Sequence, residues 1–329
     1  MPKKIVVIGS NSFSGSHFTD FALEEGLDVV GISRSPEPRA VFLPYKTRPR
    51  ANFKFYQLDL NRDLDAIMGV VREFRPDYVV NFAAQGMVAE SWLTPEHWFQ
   101  TNVVANVKLH DQLRRCAFLK KYVHVSTPEV YGNCTGMVRE NTNYQPSTPY
   151  AVSRAAADMS LKTFFQAYHF PVVFTRPANV YGPGQQLYRI IPRTILFFLT
   201  DRKLQLHGGG VSVRSFIHIR DVADGTLRVA REGKPGEIFH FATSRAIAIR
   251  DLAAMIAEQM RVPFADHVEV VGDRLGKDNA YLLDTAKARA QLGWSDTISL
   301  EQGVADTIRW VTDNLKVLKE LPLNYIHKP

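Results

Sequence analysis

The chain has 329 residues, 45% of them hydrophobic, which suits one large or two small domains with a substantial core. Its net charge of +7 comes from scattered basic residues, with one local group between residues 39 and 50. Such scattered charge favours a basic surface that attracts phosphate ligands over a nucleic-acid-binding face. The two cysteines, Cys116 and Cys134, have neither disulfide-framework nor metal-ligand spacing, so we expect a reducing compartment and no metal.

Nothing in the sequence predicts a membrane partner. The first strand starts at residue 3, so we expect no signal peptide. The most apolar late run, residues 190–200, is interrupted by Pro192 and Arg193 and is too short to cross a bilayer. The sequence therefore predicts a cytoplasmic protein that binds neither membrane nor nucleic acid.

The N-terminal segment predicts a strand–helix–strand unit around a glycine turn. Residues 3–8 form a strand, a helix runs to about residue 25 and ends at Gly26, and residues 27–33 form the next strand. A glycine turn at a helix N-terminus lets the backbone approach a pyrophosphate, as in dinucleotide-binding units. The predicted cofactor contacts in this turn are Gly9, Asn11, Ser12, Phe13, Ser14 and Gly15.

The end of the second strand favours NADP. It reads Ser33-Arg34, whereas NAD-binding units usually place a carboxylate here to hold the ribose hydroxyls. An arginine can pair with a 2′-phosphate instead. The sequence predicts NADP, with NAD as the alternative, and makes Ser33 and Arg34 contacts of the cofactor.

The following elements alternate as an α/β fold requires. The proline-rich residues 35–52 predict a loop. Strands are expected at residues 53–60 and 77–82, and helices at residues 63–74 and 96–116.

Residues 122–132 then combine a strand with reactive side chains. The strand is apolar and ends in a Ser-Thr-Pro cluster. Functional residues collect at strand ends in α/β folds, so Ser126, Thr127 and Glu129 are candidate site residues.

An alanine-rich helix over residues 150–168 supplies the second half of the candidate site. Tyr150 and Arg154 are four residues apart and so face the same side of it. A fixed cation beside a phenol favours the phenolate. We therefore expect a lowered pKa for Tyr150 and a role as acid and base.

These residues resemble a known family. A strand-end Ser/Thr followed by Tyr-x-x-x-Lys is the signature of short-chain dehydrogenases/reductases. Residues 126–132 are similar to the extended branch that acts on nucleotide sugars, and most of all to its 4,6-dehydratases. The resemblance extends from residue 3 to about residue 294. It implies an α/β fold, with a Rossmann-type doubly wound parallel sheet and a smaller mixed α/β C-terminal substrate lobe.

Three positions depart from the family pattern. Arg154 stands where the family has Lys, and the two are not interchangeable because the guanidinium is larger and differently aimed. Pro128 stands where dTDP-glucose dehydratases have an Asp acid, and Ser12 replaces the middle glycine of the turn.

The resemblance assigns roles to further residues. Near the cofactor it places Asp59, Leu60, Phe82, Ala83 and Ala84, together with Tyr150 and Arg154. For the nucleotide sugar it implies contacts with Gln85, Ser126, Asn179, Arg214 and Arg274. Asn102 would brace the active-site strand, a structural role.

Two domains are expected. The dinucleotide-binding domain would comprise residues 1–178 and 215–245, and the nucleotide-sugar-binding lobe residues 179–214 and 246–329. Residues 238–242 would return to the large sheet, while helices over residues 250–259 and 285–292 would belong to the lobe.

The implied activity is that of a lyase of the 4.2.1 type. Tyr150 would take the C4 hydroxyl proton, Thr127 would orient that hydroxyl, and Arg154 would hold the cofactor ribose. Glu129 would remove the C5 proton, after which water leaves C6. The 4-keto-6-deoxy product would enter a surface polysaccharide or another glycosylated product.

Two other readings stay open. A nucleotide-diphosphate-uronate decarboxylase, or another oxidoreductase or epimerase of the same family, would carry similar motifs, although C4 epimerases generally lack Glu129. A non-catalytic NADP-binding sensor would explain Ser12, Pro128 and Arg154.

Family members commonly form dimers through a four-helix bundle. Here the helices at residues 96–116 and 150–168 would form it in a homodimer. Phe164, Phe165 and Tyr168 would offer apolar surface for it or would belong to the core.

Overall fold

The computed structural model describes residues 3–47, 49, 51–134, 136–272 and 282–328. Within these residues the strands are β1 (Lys4–Ile8), β2 (Asp28–Ser33), β3 (Phe53–Gln57), β4 (Tyr78–Asn81), β5 (Lys121–Val125), β6 (Met137–Val138), β7 (Val172–Pro177), β8 (Asn179–Tyr181), β9 (Leu204–His207), β10 (Val213–His218), β11 (Ile238–Phe241), β12 (Ala246–Ala248), β13 (Val268–Val271) and β14 (Leu282–Leu283). The helices are α1 (Phe13–Glu24), α2 (Leu64–Phe74), α3 (Pro95–Phe99), α4 (Asn106–Leu113), α5 (Pro149–Tyr168), α6 (Ile190–Leu199), α7 (Ile219–Glu232), α8 (Ile249–Met260), α9 (Ala286–Leu292), α10 (Leu300–Asp313) and α11 (Leu315–Leu318).

A seven-stranded sheet forms the centre of the molecule. Its order is β11–β7–β5–β4–β1–β2–β3, and every neighbouring pair is parallel. Its strands are mostly apolar on both faces, because helices cover the sheet from both sides. The sheet is the predicted Rossmann-type doubly wound sheet, and the fold class is confirmed.

Each face of the sheet has its own core. Helices α1 and α7 pack against each other on one face, where Phe18, Val222 and Phe239 are buried. Helices α2 and α4 pack together on the other, with Met68 and Leu109 in that core. Function therefore has to concentrate at the carboxyl edge of the strands, where the loops lie.

A small lobe, built from α6, α8 and α10 with two short sheets, packs around a third core that includes Ile195, Ile256 and Val304. One of its sheets has the order β12–β10–β8, and in the other β13 pairs in parallel with β9. The predicted lobe helix at residues 285–292 is α9. It packs on α7 and β11, with Ala288 and Leu292 in the core of the large sheet. The exact division into two domains stays a prediction.

Two predicted elements differ in detail. The strand expected at residues 53–60 ends at Gln57, because the chain turns where the Asp59 carboxylate accepts a hydrogen bond from the Asn61 amide (2.9 Å). The long helix expected at residues 96–116 is α3 and α4 joined by a π-helical stretch, Gln100–Ala105.

The described part of the chain contains no helix long and apolar enough to cross a membrane. Within the same residues, no three or more metal-ligand side chains form a group that could hold a metal ion.

Candidate active site

The turn between β1 and α1 is built for close approach of a ligand. Gly9 has φ of +83°, and a Cβ there would lie 2.8 Å from the Ala83 amide nitrogen. A Cβ on Gly15 would lie 2.1 Å from the carbonyl oxygen of Gly9. Both positions therefore need glycine, because the turn packs closely against its own backbone and against the residues that follow β4. The residues present fit a dinucleotide pyrophosphate at this helix N-terminus.

Ser12, the departure from the glycine pattern, has a structural explanation. It caps α1: its hydroxyl accepts a hydrogen bond from the Gly15 amide (3.1 Å) and donates one to the Gly9 carbonyl (2.7 Å). Its φ of −73° suits any residue. The substitution therefore preserves the turn.

The end of β2 meets this turn. The Asn11 amide donates to the Ser33 hydroxyl (3.1 Å), and the Asn11 side chain donates to the Ser35 carbonyl (2.9 Å). The Arg34 guanidinium donates to the carbonyl of Lys328 (3.1 Å), which lies near the C-terminus. Three of the predicted cofactor contacts thus lie together at this edge.

The end of β4 forms the next part of the edge. Phe82 packs against Phe18, with ring centroids 5.3 Å apart. Asn102 holds the backbone of Gln85 from both sides, because its side chain accepts from the Gln85 amide (2.8 Å) and donates to the Gln85 carbonyl (3.0 Å). The same side chain donates to the Ser153 hydroxyl on α5 (2.9 Å), which fits the structural role expected of Asn102.

Thr127, Glu129 and Tyr150 come together at the end of β5. Thr127 hydrogen-bonds the Tyr150 phenol, and the Glu129 carboxylate is close enough to act on that phenol electrostatically. Thr127 also caps a short 3₁₀ turn, Pro128–Tyr131, in which Pro128 takes the first position, where no amide proton is needed. Tyr150 lies in the first turn of α5, which Thr148 caps. The three predicted reactive residues are therefore adjacent.

The predicted lowering of the Tyr150 pKa is wrong. Burial raises the pKa of the phenol, and the Glu129 carboxylate raises it further. Arg154, Thr127 and Arg189 act in the lowering direction without reversing the outcome. The helical spacing identified the cation correctly, but the desolvation and the carboxylate become visible only in the fold.

Arg154 lies behind Tyr150, in a buried polar network. Its guanidinium donates to the Val125 carbonyl and lies 3.2 Å from the His124 ring nitrogen. His124 lies 3.5 Å from the Asp158 carboxylate, which accepts a hydrogen bond from Arg176 (2.7 Å). The side chain of Arg154 is only 2% exposed, so two arginines and one carboxylate are held inside the fold.

Ser126 belongs to the same network. Its hydroxyl donates to the Asp158 carboxylate (2.9 Å), and its contact with the sugar stays a prediction. Burial, followed by the positive charge of Arg154, holds the pKa of His124 well below its usual value, so His124 is neutral at pH 7.

A cation that the sequence reasoning missed faces the reacting residues. Arg189 lowers the pKa of Tyr150 and lies over the Tyr188 ring, 5.5 Å from its centroid. It follows β8 and precedes α6, in a loop whose path the sequence did not reveal.

The predicted sugar contacts are spread over the lobe side. Asn179 donates to the Ser215 carbonyl (3.1 Å), and Arg214 lies next to Ser215 on β10, which pairs with the strand of Asn179. Arg274 lies outside the described residues. Of the cofactor contacts expected from the resemblance, Asp59 and Leu60 follow β3, and Ala83 and Ala84 follow β4.

Comparison with known proteins gives consistent results. A family model described as GDP-mannose 4,6 dehydratase matches residues 6–307. The dTDP-glucose 4,6-dehydratase of Streptomyces antibioticus is 35% identical over 94% of this chain and 92% of its own. The human dTDP-D-glucose 4,6-dehydratase is 29% identical over 95% of this chain and 91% of its own.

Solved structures agree with these relatives. DesIV, a dTDP-glucose 4,6-dehydratase from Streptomyces venezuelae with NAD and TYD bound, has a TM-score of 0.88 and 30% identity over 95% of this chain and 98% of that one. A UDP-glucuronic acid 4-epimerase from Bacillus cereus, in complex with UDP-glucuronic acid and NAD, has a TM-score of 0.84. It is 26% identical over 94% of this chain and 99% of that one.

Proposed function

The chain belongs to the GDP-mannose 4,6-dehydratase family, and from this premise we infer that it is a nucleotide-sugar 4,6-dehydratase that uses a nicotinamide dinucleotide. The observation that carries the inference is the adjacency of Thr127, Glu129 and Tyr150 at the carboxyl edge that also holds the glycine turn. The expected product is an NDP-4-keto-6-deoxyhexose.

We propose that Tyr150 and Thr127 act on C4 of the sugar. The bound nicotinamide would supply the redox chemistry, accepting a hydride from C4 and returning it to C6. Tyr150 takes the proton of the C4 hydroxyl, while the Thr127 hydroxyl hydrogen-bonds the same oxygen and fixes its direction. Arg189 and Arg154 stabilise the tyrosinate that this step requires, since both favour the charged phenol.

Glu129 is proposed to carry out the elimination. The C4 ketone acidifies the C5 proton, which the Glu129 carboxylate removes. Pro128 has no proton to give, so Glu129 passes the proton to the C6 hydroxyl, which leaves as water. One side chain thus serves both steps. The hydride returned to C6 is matched by a proton that C5 takes from solvent, and Tyr150 releases to solvent the proton of the C4 hydroxyl, so the proton balance closes.

NADP is our proposal for the preferred cofactor, although the solved relatives named above contain NAD. It rests on residues of this chain: after β2 the sequence reads Ser33-Arg34-Ser35-Pro36 before the first carboxylate, Glu37. Without a carboxylate at Ser33 or Arg34, the ribose hydroxyls of NAD lose an acceptor, while a 2′-phosphate gains a guanidinium.

A homodimer in the cytoplasm is the proposed assembly, through the helices around α4 and α5. Phe164 and Phe165 are partly buried against the core, which is one of the two placements that the sequence allowed. The exposed apolar side chains on these helices are Phe99, Val104, Val152, Met159 and Tyr168. Such a row on neighbouring helices suits a four-helix bundle with a second copy.

Mass spectrometry of products formed in deuterated water tests the function. The substrates are uridine, thymidine, guanosine and cytidine diphosphate sugars, each offered with NAD and with NADP. We expect one of them to lose water and to gain one solvent deuterium at C5. Glu129→Gln should reduce this conversion roughly 100-fold. The control is Glu269→Gln, which changes an exposed side chain that pairs with Gln205 on the small lobe and should leave the conversion unchanged.

Other products would reassign the enzyme. Loss of carbon dioxide from a uronate would indicate a decarboxylase, and a C4 epimer of unchanged mass an epimerase. Bound cofactor without conversion of any sugar would favour the sensor and overturn the mechanism.

A further inference from the structure

The last described residues of the chain cross from the small lobe to the large sheet. We name residues 323–328 the C-terminal strap. It follows α11 and Pro322, and its contacts are not those of a loose terminus: several of its residues hydrogen-bond or stack on side chains far away in sequence.

The strap is first fixed to the small lobe and to the loop before α6. Arg193 on α6 donates to the Leu323 carbonyl and to the Asn324 side chain (3.0 Å). The Tyr325 ring meets the Tyr188 ring edge-on, with centroids 5.5 Å apart. These contacts guide the strap along the sugar side of the cleft, next to Arg189.

The strap is then fixed to the large sheet by His327. Its ring stacks on those of His97 and Trp98 on α3, with centroids 5.1 Å apart in both pairs. A ring nitrogen of His97 lies 2.8 Å from one of His327, so the two share a hydrogen bond. Desolvation and the neighbouring His97 and Arg34 lower the pKa of His327, which keeps the ring neutral for this bond.

Lys328 makes the last contacts between the strap and the large sheet. Its carbonyl accepts hydrogen bonds from Gln85 (2.6 Å) and Arg34 (3.1 Å), and its ammonium donates to the Ser35 hydroxyl (3.2 Å). Gln85 follows β4, and Arg34 and Ser35 follow β2. Since β1 lies between β4 and β2 in the sheet, Lys328 spans the strand whose end carries the glycine turn.

The strap covers the cleft without occupying its reacting groups. Among the hydrogen bonds between described residues, none joins residues 323–328 to the glycine turn at residues 9–15, to Thr127 or to Tyr150. Two of the contacts go to Arg34 and Gln85, which are predicted cofactor and sugar contacts, so the strap lies over the predicted ligand site and ties both halves of the molecule together. A bound dinucleotide would lie under the strap, with Arg34 and the Lys328 ammonium both at its ribose end.

We propose that the C-terminal strap retains the nicotinamide dinucleotide and sets the rate at which it leaves the enzyme. The proposal rests on the proposed function for the identity of the ligand. Retention suits a reaction that returns its hydride within each turnover, because the cofactor then has no need to leave. Lys328 also becomes a cofactor-site residue that no strand-end motif contains.

Dissociation of the cofactor tests the strap. The full chain and a chain ending at Pro322 are loaded with NADPH, and the loss of its bound-state fluorescence is followed after a chase with excess NADP. We expect at least roughly tenfold faster release from the shortened chain, because an aromatic stack and several hydrogen bonds are removed. Circular dichroism of the unliganded proteins should agree, since Leu323 is the strap's contribution to the core of the small lobe and the strap belongs to no helix or strand.

Single substitutions separate the strap contacts from the effect of truncation. His327→Ala should speed release several-fold, because it removes the ring contact with Trp98 and the bond to His97. The matched control is Ile326→Ala, whose side chain is 63% exposed and should leave release unchanged.

Three results would overturn the proposal about the strap. Equal release from the full and shortened chains would overturn it alone, whereas failure of the full chain to bind any nicotinamide dinucleotide would also overturn the proposed function. Tighter cofactor binding by the shortened chain would equally reject retention, since the segment would then compete with the cofactor for the cleft.

Discussion

The two sides of the β5–α5 contact differ in what their polar groups do. On the front, Thr127, Glu129 and Tyr150 meet at the carboxyl edge of the large sheet, and the Tyr150 phenol is desolvated there. Behind them, Arg154 and Asp158 belong to a network in which side chains satisfy one another inside the fold. Tyr150 and Arg154 are one helical turn apart, yet one is the proposed proton acceptor and the other a cation held in the buried network.

This difference shows the limit of helical spacing as a guide to function. Spacing fixes the side of a helix on which a residue lies, but the length of the side chain and its available partners decide what it contacts. The guanidinium of Arg154 finds the Val125 carbonyl and His124. Arg154 therefore acts on Tyr150 through its charge, while its hydrogen bonds hold β5 to α5.

The largest expected effect is a loss of turnover when Tyr150, on the front of the β5–α5 contact, is changed. Tyr150→Phe keeps the ring but removes the proton acceptor, so turnover should fall roughly 1,000-fold. Steady-state kinetics with the identified sugar measure it, and urea unfolding should show that stability is retained. Turnover within tenfold of the natural chain would remove Tyr150 from the mechanism.

The next largest effect is a loss of stability when the buried network behind Tyr150 is broken. Asp158→Ala leaves Arg176 and Arg154 without the buried carboxylate that balances them, and should lower the free energy of unfolding by about 3–5 kcal/mol. Asp158→Asn, which keeps the shape, should cost less. Glu25→Ala, which breaks an exposed pair with Arg231, should cost under about 1 kcal/mol. Equal losses in the free energy of unfolding for Asp158→Ala and Glu25→Ala would show that the buried network does not stabilise the fold as a unit.

The smallest effect is expected on kcat, when Arg154, which joins the two sides, is replaced by lysine. Arg154→Lys keeps a cation and should change kcat by roughly tenfold or less. Its matched partner, Arg154→Met, removes a charge that lowers the pKa of Tyr150, so that pKa should rise further.

The pH profile reports this change. Tyr150 must lose its proton to accept another, so a higher pKa leaves less phenolate at pH 7. The rising limb of kcat/KM should therefore move to higher pH in Arg154→Met and stay nearly in place in Arg154→Lys. Identical limbs in both variants would mean that the charge of Arg154 does not reach the phenol.

Much of the site was predictable because its motifs are local. The glycine turn and the Thr127, Glu129 and Tyr150 positions each follow from a few neighbouring residues at a strand end or helix start. Ser126 was predicted as a sugar contact, but its hydrogen bond to Asp158 was not predictable, since that partner is 32 residues away in sequence. Arg189 and the strap were missed for the same reason: their importance comes from neighbours on other elements.

The sequence by itself determined the alternation of strands and helices, the fold class and the family, because apolar periodicity and short motifs are written within single elements. The tertiary structure alone decided which charges share a buried volume. It placed Glu129 and a desolvating pocket around Tyr150, so that the pKa rises where spacing predicted a fall. It also brought His327 onto His97 and Trp98 across 230 residues of chain. Burial and long-range contact depend on the packing of all elements at once, and no single stretch of sequence contains them.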